Sequence, residues 1–208
     1  MNSLDIFGPG VENVWAKQSR RRGRVAGSGP GPNRSVPSEV KSQLGQAELL
    51  FVNGEGEKAA EILSVVSQRY PHLPDPYNIM ALIYEESGDI DKALKLYTLT
   101  ASLLPRKHAD ASLWAKIADL AESCGNYGHA IMAINSCLKL EATPDHFIAK
   151  LGILVRQQSP HATKETLKQF LQKFPEEIGY LVEFGDILLD AQFRQLGIYV
   201  STNIESHH

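Results

Sequence analysis

The stretch GEGEKAAEILSVVSQRYP, beginning at Gly54, returns 34 residues later as GDIDKALKLYTLTASLLP, beginning at Gly88. Both open with a glycine, an acid, a spacer, an acid, a lysine and an alanine, and both close on a proline at the same distance, Pro71 and Pro105. Self-similarity at a fixed period constrains a chain more tightly than its composition does. Each unit is one supersecondary piece that cannot bury its apolar face alone, so neighbours must stack and bury it jointly.

The unit can be numbered so that Ala59 takes its twentieth place. Ala47 then falls at place 8, Leu50 at 11, Gly54 at 15, Leu63 at 24 and Pro71 at 32. A shift of 34 puts Tyr77 at place 4, Ala81 at 8, Tyr84 at 11, Gly88 at 15, Ala93 at 20, Tyr97 at 24 and Pro105 at 32. That is the tetratricopeptide pattern. After RKHADAS has lengthened the spacing by three residues, a third unit has Trp114 at place 4, Ala118 at 8, Gly125 at 15, Ala130 at 20 and Ile134 at 24, with Pro144 arriving two places late. Small residues at 8 and 20 let two helices approach closely, bulky ones at 4, 11 and 24 fill the space between them, and glycine at 15 takes the left-handed turn that ends a helix.

A fourth unit is degraded. Thr143-Pro144 and Ser159-Pro160 read as N-cap and first-turn pairs, so PDHFIAKLGILVRQQ and PHATKETLKQFLQKF form its two helices, with Phe147, Leu151, Leu154, Leu167 and Phe170 inward and Thr163 where alanine is expected. EEIGYLVEFGDILLDAQ then supplies one more amphipathic helix without a partner. The expected fold is all-α: a tetratricopeptide-repeat superhelix of three clear repeats, a degenerate fourth and a lone final helix, over residues 38–192, followed by an irregular tail at 193–208.

Residues 1–37 read differently. Lys17, Arg20, Arg21, Arg22, Arg24 and Arg34 stand against Asp5 and Glu12, which leaves the rest of a chain of net charge −3 at −7. The text RGRVAGSGPGPNRSVP cannot bury enough apolar surface to offset the entropy of ordering it, so a disordered basic arm is expected. Lys17, Arg20, Arg21, Arg22 and Arg24 read as a nuclear import signal or as a tail making weak, salt-sensitive contacts with nucleic acid.

Other function classes find little support. Gly27, Gly29 and Gly31 lie among prolines, with no Lys-Ser or Lys-Thr after them, so they suit a linker and not a phosphate loop. Cys124 and Cys137 have no partner at metal-ligand spacing and read as buried thiols. The histidines lie scattered without a nucleophile and acid beside them. No run reaches the roughly eighteen apolar residues of a membrane span, and the leader lacks a secretory core. The expectation is a non-enzyme with no catalytic residues, cofactor, metal, small-molecule substrate or membrane contact.

The informative surface is the concave face, formed in such arrays by places 2, 5, 9, 12 and 13 of each first helix. Here those places hold Lys41, Leu44, Glu48, Phe51 and Val52, then Asp75, Asn78, Leu82, Glu85 and Glu86, then Ser112, Ala115, Asp119, Glu122 and Ser123. Six acids against one base predict attraction for a basic, partly apolar segment, unless the carboxylates are only a solvated face. A co-chaperone clamp for an acidic C-terminus needs the opposite sign. The expected partner groove is therefore Glu48, Phe51, Asn78, Leu82, Glu85, Glu86, Asp119 and Glu122, and the expected repeat-packing residues are Ala47, Ala59, Ala81, Ala93, Trp114, Ala118 and Ala130.

The succession WAKQSRRRGR, a Gly-rich spacer, LGQAELLFVNGEGEKA, LPDPYNIMALIYEESGD and SLWAKIADLAESCGN resembles the tetratricopeptide subunit of TFIIIC, the assembly factor of RNA polymerase III transcription, over roughly residues 15–140. The resemblance implies a nuclear protein whose repeats recruit TFIIIB, through its Brf and Bdp components, to transfer RNA genes alongside other TFIIIC subunits. Members of that family are far longer, so a short or truncated form is implied. The alternative is a tetratricopeptide adaptor or co-chaperone in another assembly.

Overall fold

A computed structural model describes residues 36–105 and 108–190. The arm residues Lys17, Arg20, Arg21, Arg22 and Arg24, and the tail beyond 190, lie outside the described residues. Among those described there are nine α-helices and no strand: α1 Ser38–Val52, α2 Gly56–Arg69, α3 Asp75–Glu86, α4 Ile90–Leu103, α5 Ala111–Ser123, α6 Tyr127–Leu140, α7 Pro144–Arg156, α8 Pro160–Lys173 and α9 Ile178–Asp190. They fall into two compact units that divide between Leu104 and Pro105, beside the point where the sequence lengthens its repeat spacing.

The turn inside each repeat is built identically. At place 15, Gly54, Gly88 and Gly125 have φ of 81°, 82° and 70°, and the fourth repeat has Gln158 there at φ 56°. Each amide at place 15 donates to the carbonyl at place 12, and each amide at place 16 donates back to place 11: Glu55 to Leu50, Asp89 to Tyr84, Asn126 to Ala121 and Ser159 to Leu154. These paired bonds satisfy the last carbonyls of the first helix, which would otherwise be left without partners. The shared hydrogen bonds show the fourth repeat to be in register although its glycine is missing.

Place 16 also starts the second helix. Asp89 and Asn126 accept from the amides of Lys92 and His129 through their side chains. Thr143 caps α7 in the same way through the amide of His146. Ser159 makes no side-chain cap, contrary to expectation; its backbone carbonyl instead accepts from the hydroxyl and amide of Thr163.

Packing follows the repeat places. Ala47, Ala59, Ala81, Ala93, Ala118 and Ala130 are all buried, as are Leu63, Tyr97, Ile134 and Leu167 at place 24. Trp114 is only half-buried. In the first unit α1 packs on α2, α2 on α3 and α3 on α4, and the Tyr77 hydroxyl donates to the Pro71 carbonyl at 3.4 Å, tying the second repeat to the end of the first. In the second unit α6 packs on α5 and α7, α8 on α7, and α9 also on α7. Its core is aromatic: Phe170 meets Phe184 edge-on at 4.7 Å between centroids and Phe147 at 5.8 Å, around Leu151, Leu167 and Leu188. Thr163, fully buried where alanine was expected, satisfies its hydroxyl on the helix backbone, which lets a polar group occupy the tight contact.

Candidate partner-binding surface

In the first unit the candidate residues lie on α1 and α3. Glu48 and Glu86 are exposed, while Phe51, Asn78, Leu82 and Glu85 are half-buried. Leu44, which the repeat places assigned to the same face, is buried and serves packing. Glu85 accepts a hydrogen bond from the Tyr97 hydroxyl on α4, which fixes its carboxylate on the hairpin. Glu48 and Glu86 have no salt-bridging cation among the described residues, so they carry the outward charge of this unit. Phe51 and Glu86 are brought together on a cleft of about 630 Å³, lined also by Ile83, by the turn residues Gly54 and Glu55 and by the start of α2, Gly56 to Lys58.

In the second unit a cleft of about 540 Å³ runs along α5, α7 and α9. Asp119 and Glu122 line it as expected. Glu122, however, forms an ion pair with Arg156 of α7, so its charge is locally neutralised. Asp119 has no such partner, and burial raises its carboxyl above the ordinary aspartate range, with the Glu122 charge adding a smaller push. Ile148, Gly152 and Val155 of α7 and Ile187 of α9 make the cleft's apolar wall. Sequence reasoning missed these residues because the missing alanine and glycine of the fourth repeat ended the groove at the third. Setting Gln158 at place 15 and Pro175 at place 32 puts Ile148 at place 5, Gly152 at 9, Val155 at 12 and Arg156 at 13, all on the expected face.

The two cysteines differ. Cys137 is buried, its thiol donates to the Ala111 carbonyl at 3.3 Å, and burial pushes its pKa up to about 11. Cys124 is exposed, contrary to the expectation that both thiols are buried, because it sits at the C-cap just before the left-handed Gly125, where the chain turns toward solvent. No group of three or more His, Cys, Asp or Glu among the described residues could hold a metal ion, and no described helix is long and apolar enough to cross a membrane.

The chain matches the tetratricopeptide repeat family over residues 111–144, which is the third repeat in the register derived above. It also superposes on solved structures of such repeats. One is YrrB, described as a tetratricopeptide protein with an unusual peptide-binding site, at TM-score 0.54 and 10% identity over 78% of this chain and 82% of that one. The fold is the tetratricopeptide-repeat fold. MamA from Desulfovibrio magneticus RS-1 shares it at TM-score 0.55 and 14% identity, over 83% of this chain and 96% of that one. A chain of the Naa15/Naa10 complex bound to HypK-THB shares it at TM-score 0.64 and 13% identity, over 77% of this chain and 25% of that one. Among proteins of known sequence, the tetratricopeptide chain is 27% identical over 130 residues to general transcription factor 3C polypeptide 3 of Homo sapiens. That match takes in 62% of this chain but only 14% of the human protein.

Proposed function

We propose that this chain is a non-enzymatic interaction module of the RNA polymerase III transcription apparatus, in which its repeats hold a basic, partly apolar segment of a TFIIIB component, Brf or Bdp, beside other TFIIIC subunits in the nucleus. The observation that carries this reading is the 130-residue match to a protein named as a general transcription factor polypeptide. The surface chemistry agrees in sign: in the first unit Glu86 shares a cleft with Phe51 while Glu48 on α1 is exposed, and in the second Asp119 stands beside Ile148 and Val155. The basic arm, with Arg20, Arg21, Arg22 and Arg24, serves nuclear import or weak nucleic-acid contact.

On the face proposed for the partner the co-chaperone reading is weaker, because the one cation lining the cleft of α5, α7 and α9, Arg156, is already paired with Glu122. Affinity capture with the tagged full chain from nuclear extract, followed by identification of the bound proteins, tests the proposal. Brf, Bdp or TFIIIC subunits are expected. Recovery of chaperones without any polymerase III component would overturn it.

A further inference from the structure

A second cleft in the second unit has the opposite chemistry. It measures about 370 Å³ and lies among α6, α7 and α8, lined by Lys139, Lys150 and Lys173, by the amides of Asn135 and Gln169, and by an apolar base that includes Phe147. One lysine from each of three helices converges there. None of the three has an ion pair with any described residue; the Lys173 ammonium lies 5.9 Å from the Phe174 ring centroid, a contact that leaves its charge unneutralised. Lys150 is half-buried, and burial holds its ammonium below the ordinary lysine value. Keeping a partly desolvated ammonium without a counter-charge is unfavourable, and an incoming anion would relieve that cost. The surrounding segment is itself basic: residues 127–175 carry six Lys or Arg against three Asp or Glu.

We infer that this cleft is a second docking site, for an acidic peptide segment that sets carboxylates against Lys139, Lys150 and Lys173 and seats an apolar side chain on Leu138, Ala142 and Phe147. Charge complementarity selects the carboxylates. The apolar base selects a peptide over a nucleic-acid backbone, because sugar and phosphate have no aliphatic side chain to place there. The volume suits one or two side chains and not a duplex. The site is separate in chemistry from the acidic surface proposed above, so a tetratricopeptide chain of this kind holds one basic and one acidic segment.

The test uses the full chain and a fluorescent peptide alternating aspartate with leucine, with three comparison probes: a peptide alternating aspartate with serine, inorganic phosphate, and a single-stranded oligonucleotide of similar length. The leucine peptide is expected to bind at least tenfold more tightly than the serine peptide, and neither phosphate nor the oligonucleotide is expected to displace it at equal concentration. Lys139→Gln, Lys150→Gln and Lys173→Gln together are expected to weaken it at least tenfold. Lys150→Arg, which keeps the charge, is expected to retain binding, and the exposed Lys95→Gln with Lys164→Gln is expected to change it less than twofold. Circular dichroism is expected to show the triple variant folded; if it is not, the comparison of Lys150→Arg with Lys150→Met decides. Equal loss in the control pair, equal affinity for the serine peptide, or displacement by the oligonucleotide would each overturn the inference.

Discussion

Place 15 of the repeat shows how one backbone angle is enforced by different residues. A side chain in the left-handed region costs roughly 1–2 kcal/mol, partly offset because glycine also gives the unfolded chain more freedom. No atom lies within 4 Å of a Cβ built on Gly88, so only the backbone opposes substitution there. Gly88→Ala is therefore expected to lower stability by about 1 kcal/mol in urea titration, while Gln158→Gly is expected to raise it by about 0.5 kcal/mol. The opposite sign at either position would show that the turn is held by something other than φ. The two cysteines offer a second residue-scale test. A thiol pushed up to about 11 by burial holds almost no thiolate at neutral pH, whereas Cys124 is open to reagent. Iodoacetamide on the native chain is expected to label Cys124 and spare Cys137, as read by mass spectrometry of the digested protein. The sequence could not separate these two, because a small apolar residue suits both a helix interior and a C-cap.

At the scale of the helix, the positions of the elements were legible wherever a residue type had one physical reason for its place. Alanine at 8 and 20 marks close helix approach, so α1 to α6 could be read directly. In α7 and α8 the same places hold Leu151 and Thr163, and legibility passed to the cap pairs Thr143-Pro144 and Ser159-Pro160. Ala93 is fully buried on α4, and Ala93→Leu is expected to cost about 1–3 kcal/mol by overpacking. Phe184 ties α9 to Phe170, so Phe184→Ala is expected to cost about 3–5 kcal/mol and to loosen α9 first, as seen by hydrogen exchange. His129, near the start of α6, is held below its ordinary value by burial. Its neutral form is the one the fold prefers, so its contribution is fully present above about pH 6.5 and is lost as the pH falls from there through the folded value. A stability profile by urea titration between pH 7 and 5 is expected to fall, and the slope is expected to be shallower in His129→Gln.

Across the whole chain, charge is segregated in a way that an average conceals. Residues 38–105 carry ten Asp or Glu against five Lys or Arg, while 127–175 reverse the sign. The candidate positions of the first three repeats were legible because they follow from the period alone. Those of the fourth were not, since Ile148, Val155 and Arg156 take candidate places only once the turn at Gln158 fixes the register. Nor could spacing alone show that Glu85 is held by Tyr97 and Glu122 by Arg156, because those partners sit 12 and 34 residues away in sequence. In the proposed function, the exposed carboxylates Glu48 and Glu86, which have no ion pair among the described residues, steer the basic partner and the half-buried Leu82 anchors it. Rim charges govern association rate and salt dependence, whereas a buried apolar contact governs dissociation. Leu82→Ala is expected to speed release of a Brf fragment and leave its association rate nearly unchanged. The most direct measurement is the association rate of a Brf fragment with the full chain across a salt series, for the wild type and for Glu48→Lys with Glu86→Lys, both first shown to be folded by circular dichroism. The double variant is expected to associate more slowly at low salt and to lose most of its salt dependence; association at the wild-type rate across the whole series would contradict the proposed role of these carboxylates.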